Sequence, residues 1–177
     1  NGLAVFDVEE LTTHGGSLRV YAERADAGRP DGAPRPVSDR VAAVLGGEIE
    51  AGMRTLAYYT GFQDRADRVK DDFVRYLLDA RRDGLRVAAY GAAAKGNTLL
   101  NFAGVRGDLV EFVVDRSPGK VGRYLPGSRI PIVGEDHLRE RRPDRLVIFP
   151  WNIADEVVET VGYIRDWGGR FVRALPT

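Results

Sequence analysis

From residue 85 onward, short apolar runs alternate with stretches of helical periodicity, and that alternation leaves few folds open. The runs at 85–90, 109–115, 130–133, 145–149 and 170–174 read as strands. Helical patterns fall between them at 97–104, 134–140 and 153–167. Strands separated by helices predict an α/β fold with a mostly parallel sheet, because parallel neighbours need a crossover that packs back onto the sheet. In such a sheet ligands bind beyond the carboxyl ends of the strands.

The first of those ends is 86–98, Arg-Val-Ala-Ala-Tyr-Gly-Ala-Ala-Ala-Lys-Gly-Asn-Thr. It reads as strand, tight turn and helix start. Gly91 and Gly96 admit backbone where a Cβ would block it. The helix start offers unpaired amides and the positive end of a dipole, and Lys95 adds a charge there. The spacing Gly-x-x-x-Lys-Gly matches neither Gly-x-Gly-x-x-Gly nor the P-loop, so on its own it also fits a structural turn with a surface lysine. Asp115 lies 24 residues after Gly91, where dinucleotide-binding folds place an acid that accepts ribose hydroxyls. Arg116, Lys120 and Arg123 make the loop after it basic, suited to a diphosphate. The third loop carries Trp151, able to stack on a base or sugar, and Asn152, able to hydrogen-bond in two directions. Each of these residues also has a plain account as turn, core or solvated loop. Their coincidence at one sheet edge points to a nucleotide-type ligand.

The 26 basic and 26 acidic residues balance, so no footprint for nucleic acid or an anionic membrane surface appears. The chain has no cysteine, which removes disulfides and thiolate metal sites, and only His14 and His137 as histidines. No apolar run is long enough for a membrane span, and no signal peptide is visible, so the expectation is a cytoplasmic protein.

Residues 3–8 and 17–22 read as two strands of a β-hairpin, joined through Thr12-Thr13-His14-Gly15-Gly16. A hairpin alone is marginal in water and needs a sheet to join. The first residue is not Met, and the opening reads as mid-domain, so the chain is expected to be part of a longer polypeptide whose upstream domain ends in these strands. Residues 25–37, rich in Pro and Gly, mark a linker. A helix capped by Ser38-Asp39 follows, with a kink or break expected at Gly46-Gly47 and Gly52. A long amphipathic helix is expected over 60–83, ended by Asp83-Gly84.

Several ordered motifs resemble the C-terminal part of the deoxysugar C-methyltransferases. They are Phe6-Asp7-Val8-Glu9-Glu10-Leu11, Thr13-His14-Gly15-Gly16-Ser17-Leu18-Arg19, Tyr90-Gly91-Ala92-Ala93-Ala94-Lys95-Gly96-Asn97-Thr98, Asp115-Arg116-Ser117-Pro118-Gly119-Lys120, Pro126-Gly127-Ser128-Arg129-Ile130-Pro131-Ile132 and Trp151-Asn152. The resemblance spans essentially the whole chain. That family methylates a carbon of a dTDP-linked keto-deoxysugar with S-adenosylmethionine. The resemblance implies that residues 1–24 are the last strands of an upstream methyltransferase domain and 25–37 a linker. It implies that 38–177 form a Rossmann-like domain that binds the nucleotide sugar. It places His14 near the sugar as the one catalytic candidate, and Gly91, Lys95, Gly96, Asn97, Asp115, Lys120, Trp151 and Asn152 on the substrate side. S-adenosylmethionine would be held by the upstream domain of the same polypeptide, and zinc by an N-terminal segment. The family's zinc cysteines, glycine-rich cofactor loop and catalytic-base motif are not among these residues, so this chain alone is expected to be inactive. Two other readings stay open: a nicotinamide-dependent oxidoreductase domain, against which Ala93 replaces the second glycine of Gly-x-Gly, and a non-catalytic nucleotide-binding or interaction module.

Overall fold

The computed structural model describes residues 1–13, 16–26 and 35–174. The described residues form two compact units, 1–62 and 63–177. Most of the 25–37 linker, residues 27–34, lies outside the described residues.

In the first unit, β1 (Leu3–Leu11) and β2 (Ser17–Arg24) pair antiparallel, with a register shift between Val5 and Asp7. This is the expected hairpin. Helix α1 (Asp39–Glu50) joins it through Asp7, whose carboxylate accepts from Ser38 Oγ at 2.5 Å and from the Arg40 guanidinium. The Ser38 hydroxyl, followed by the Arg40 guanidinium, holds the Asp7 carboxyl below its ordinary value. The expected break at Gly46-Gly47 does not occur: both lie inside α1, and a Cβ at either would meet nothing within 4 Å. Glycine lowers helix propensity without forbidding the helix, and the chain turns at Gly52, where φ is +79°. The short α2 (Leu56–Tyr59) follows.

The second unit is the α/β layer. Five parallel strands lie in the order β5-β4-β3-β6-β7: β3 (Val87–Tyr90), β4 (Val113–Val114), β5 (Ile132–Val133), β6 (Arg145–Ile148) and β7 (Arg170–Arg173). Alternate residues of each strand point to opposite faces. Val87 and Ala89 of β3 pack with Phe73, Leu77 and Ala80 of α3 (Phe62–Arg82) and Leu100 of α4 (Ala94–Phe102). Ala88 and Tyr90 pack on the other face with Leu138 of α5 (Asp136–Arg141) and with Ala154 and Val157 of α6 (Ala154–Thr160). Helices therefore cover both faces, and β3 is buried along its whole length. The helix expected over 153–167 is two pieces, α6 and a 3-10 turn over Gly162–Trp167, divided at Val161. Val161 and Ile164 are both fully buried, and the tighter turn is what carries Ile164 into the core. No helix among the described residues is long and apolar enough to cross a membrane.

At the amino end of the sheet, Arg86 ties three segments together. Its Nε and Nη2 donate to Glu111 at 2.9 and 2.8 Å, and its Nη1 donates to Arg141 O at 2.6 Å. Its backbone N–H donates to Asp144 Oδ2 at 2.8 Å. The Arg86 guanidinium holds the Glu111 carboxyl below its ordinary value of 4.5, against the opposing effect of burial. A lowered folded value means that the pair's contribution is complete above about pH 4.5 and fades as pH falls through the folded value. The pair is partly solvated, so the contribution is about 0.5–1 kcal/mol. Glu111→Gln should therefore lower stability by that amount at pH 7 and by progressively less as the pH falls below 4.5, read as the pH dependence of the urea midpoint.

Candidate functional site

The strand order reverses between β3 and β6. The chain runs from β3 outward to β4 and β5 on one side, and from β6 to β7 on the other. A crevice forms at such a reversal, because the loops after the two central strands depart to opposite faces. The loop after β3 is Gly91–Ala93, and the segment after β6 is Phe149 and Pro150 followed by the 3-10 turn Trp151–Ile153. A cleft of about 250 Å³ opens there. Gly91, Ala93, Asp115 and Arg116 line one side, and Pro150, Ile153, Glu156, Val157 and Thr160 the other, with Tyr90 at its base.

Gly91 and Gly96 set how closely the elements approach. Gly91 has φ +94°, and a Cβ on it would stand 2.5 Å from Pro150 Cδ. A Cβ on Gly96 would stand 2.5 Å from two ring carbons of Phe149. Gly91 thus shapes the cleft's edge, whereas Gly96 is buried beneath α4 and lets that helix sit against Phe149. Helix α4 begins at Ala94, earlier than the expected residue 97, so Lys95, Gly96 and Asn97 belong to its first turn. Ala93 as N-cap supplies no side-chain hydrogen bond, which leaves the first-turn amides without one.

Asp115 lies at the end of β4, 9% exposed. Its Oδ2 accepts from the Ala92 N–H at 2.9 Å and from Lys120 Nζ at 3.0 Å, and its Oδ1 accepts from the Ser117 N–H at 2.9 Å. One carboxylate thereby fixes the turn after β3 and closes the loop after β4, and it holds the Lys120 ammonium in place. Lys95 Nζ donates to Asn152 Oδ1 at 3.1 Å and lies 4.6 Å from the centre of the Trp151 ring. Lys95, Trp151 and Asn152, called separately from the sequence, form one group, and its two loop members sit between the cleft residues Pro150 and Ile153. Asn97 does not join them: its Oδ1 is buried, with no hydrogen-bond partner among the described residues. His14 lies outside the described residues.

Sequence reasoning missed Tyr90, Glu156 and Thr160. Tyr90 ends β3, and burial, first among the causes, raises its phenol so that the O–H stays protonated as a donor. Glu156 and Thr160 stand four residues apart, on one face of α6, and Thr160 Oγ1 donates to Glu156 O at 2.8 Å. Their i, i+4 spacing beside the third loop was the available signal. In the sequence an acid near a helix start reads as a complement to the dipole.

Residues 12–176 match the family model described as C-methyltransferase C-terminal domain. The chain is 34% identical over 176 residues to C-methyltransferase NovU of Streptomyces niveus, an overlap of 99% of this chain and 40% of that protein. The chain thus spans about two fifths of the length of the curated relative it matches.

Proposed function

The chain belongs to the C-methyltransferase C-terminal domain family, and from that premise we propose that it is the sugar-nucleotide-binding part of an S-adenosylmethionine-dependent C-methyltransferase. The acceptor is a dTDP-linked keto-deoxysugar. Its nucleoside end enters the cleft, and its diphosphate lies at the first turn of α4 with Lys95. The observation that carries this reading is the Lys95 ammonium, held by Asn152 and Trp151 at the uncapped start of α4 on the carboxyl edge of the sheet. An ammonium beside the first turn of a helix suits a phosphate.

The contacts of Asp115 favour this reading over the oxidoreductase one. A nicotinamide dinucleotide, like S-adenosylmethionine, has a ribose whose two hydroxyls are gripped by an acid at this position. Here both oxygens of that acid are already engaged by Ala92, Ser117 and Lys120. A deoxyribose, with no 2′-hydroxyl, does not require that grip. The cleft therefore does not fit S-adenosylmethionine, whose methyl group is supplied from the upstream domain. The chain has no cysteine, and among the described residues no three of His, Cys, Asp and Glu gather.

C-methylation removes a proton beside a keto group and delivers a methyl to the resulting carbanion, so it depends on a sugar held in one orientation. This chain's part is to bind and orient. The upstream domain supplies the base and the donor, and β1 and β2 are its closing strands. The exposed Leu3, Val5, Leu18 and Val20 of the hairpin and its two unpaired outer edges support that role.

Calorimetric titration of the intact polypeptide with dTDP, and of this chain with dTDP, NADH and S-adenosylmethionine, tests the reading. Saturable dTDP binding is expected in both. Lys95→Ala should weaken it about tenfold, the worth of one charge-assisted contact. Binding of NADH in place of dTDP would return the oxidoreductase reading to first place.

A further inference from the structure

The cleft contains two carboxylates in opposite situations. Asp115 is consumed by three donors of its own chain. Glu156, exposed on α6, makes no ion pair or side-chain hydrogen bond among the described residues. Arg116, across the cleft, makes no ion pair either, and the two do not pair with each other. The Tyr90 hydroxyl donates to no described residue. The cleft thus holds one uncommitted acceptor group and two uncommitted donors, between the apolar surfaces of Pro150, Ile153 and Val157.

An ionised carboxylate only accepts hydrogen bonds, and it repels a phosphate. The ligand part that meets Glu156 is therefore an N–H or O–H donor at the end remote from the diphosphate. The apolar walls suit a flat ring, and about 250 Å³ is room for one end of a nucleotide sugar and not for the whole. Resting on the nucleotide reading above, we propose that Glu156 recognises the base of the nucleotide by accepting the imide N–H of a thymine or uracil ring. Tyr90 and Arg116 supply donors for the two carbonyls that flank it. Cytosine and adenine present a ring-nitrogen acceptor at the corresponding position, which a carboxylate rejects. Guanine presents a ring N–H but one carbonyl, leaving one of the two donors unused. Thr160 has already directed its proton to Glu156 O, so its oxygen remains as a second acceptor on the same wall.

The test compares dTDP with its N3-methyl analogue on the intact polypeptide, by calorimetry, for wild type, Glu156→Ala and Glu156→Gln. In wild type the methyl group should weaken binding at least tenfold, the worth of a hydrogen bond to a charged group. Glu156→Ala should bind dTDP about tenfold more weakly and no longer distinguish the two ligands. Glu156→Gln, whose amide oxygen still accepts, should keep most of the preference. Equal affinities in wild type, a preference that persists in Glu156→Ala, or tighter binding of GDP than dTDP would each overturn the assignment of Glu156 while leaving the nucleotide reading in place. Failure of wild type to bind dTDP at all would overturn both. The analogue comparison on wild type needs no variant to fold.

Discussion

Gly96→Ala is expected to destabilise the second unit by about 2 kcal/mol, although in an isolated helix the same change would stabilise by roughly 1 kcal/mol. The reversal comes from what lies beneath. Gly96 is buried in the first turn of α4, and a Cβ there would come within 2.5 Å of Phe149 Cδ2 and Cγ and 2.7 Å of its Cβ. Phe149 is 1% exposed and packs in the same cluster as Leu77, Leu100 and Val147, so its ring has nowhere to retreat. The helix must lift instead, carrying Lys95 away from Asn152. The denaturant midpoint should fall, and dTDP affinity with it. Gly107→Ala, where a Cβ meets nothing within 4 Å, is the control and should leave both unchanged. Adding Phe149→Leu to Gly96→Ala should restore part of the loss. An unchanged or higher midpoint in Gly96→Ala alone would show that the helix–strand distance is not limiting here.

The same contact shows why the sequence carried the layer architecture and less of the site. Apolar runs bounded by Gly, Pro and charged residues are local signals, so all five strands and the hairpin were legible, as was α3. Helix α4 starting at Ala94 was not, because Lys95-Gly96-Asn97 is poor helix sequence and is held helical by its fit over Phe149. Continuity of α1 through Gly46 and Gly47 went unread because glycine lowers helix propensity without forbidding the helix. Helix propensity is a weak prior that context overrides. At the site, the positions of Asp115, Lys95, Trp151 and Asn152 at loop ends followed from strand boundaries. What Asp115 does with its oxygens did not, because the Ala92 amide that uses one of them lies 23 residues away. Glu156 and Thr160 were hidden by the opposite effect. They sit on a helix whose periodicity was clear, but which face borders the cleft is set by the reversal of strand order between β3 and β6.

Asp115→Ala is expected to be the most damaging change at the site, at about 3–4 kcal/mol, because it strips three donors of their acceptor at once. The Ala92 amide is buried and would be left without an acceptor, whereas the Lys120 ammonium, on a partly exposed side chain, can turn to solvent. Asp115→Asn separates the parts of this cost. An amide oxygen can still accept from one backbone N–H, but its NH2 faces a donor on the other side, and Lys120 loses its ion pair. The expected loss for Asn is about half that for Ala. Lys120→Ala leaves both backbone bonds of Asp115 in place, one on each oxygen, so it should cost little stability. It should also leave Oδ2 with the Ala92 N–H alone, opening one of its lone pairs to a ribose. The sharp consequence is in ligand choice: Lys120→Ala should gain affinity for UDP relative to dTDP, because the Oδ2 lone pair that Lys120 occupied can then accept the 2′-hydroxyl. Urea midpoints for the three variants and a UDP-to-dTDP affinity ratio for Lys120→Ala measure the two halves. If Asp115→Ala unfolds no more easily than Lys120→Ala, the carboxylate is not the tie between the loops after β3 and β4. If the nucleotide ratio does not move, Lys120 is not what keeps that carboxylate from a ribose.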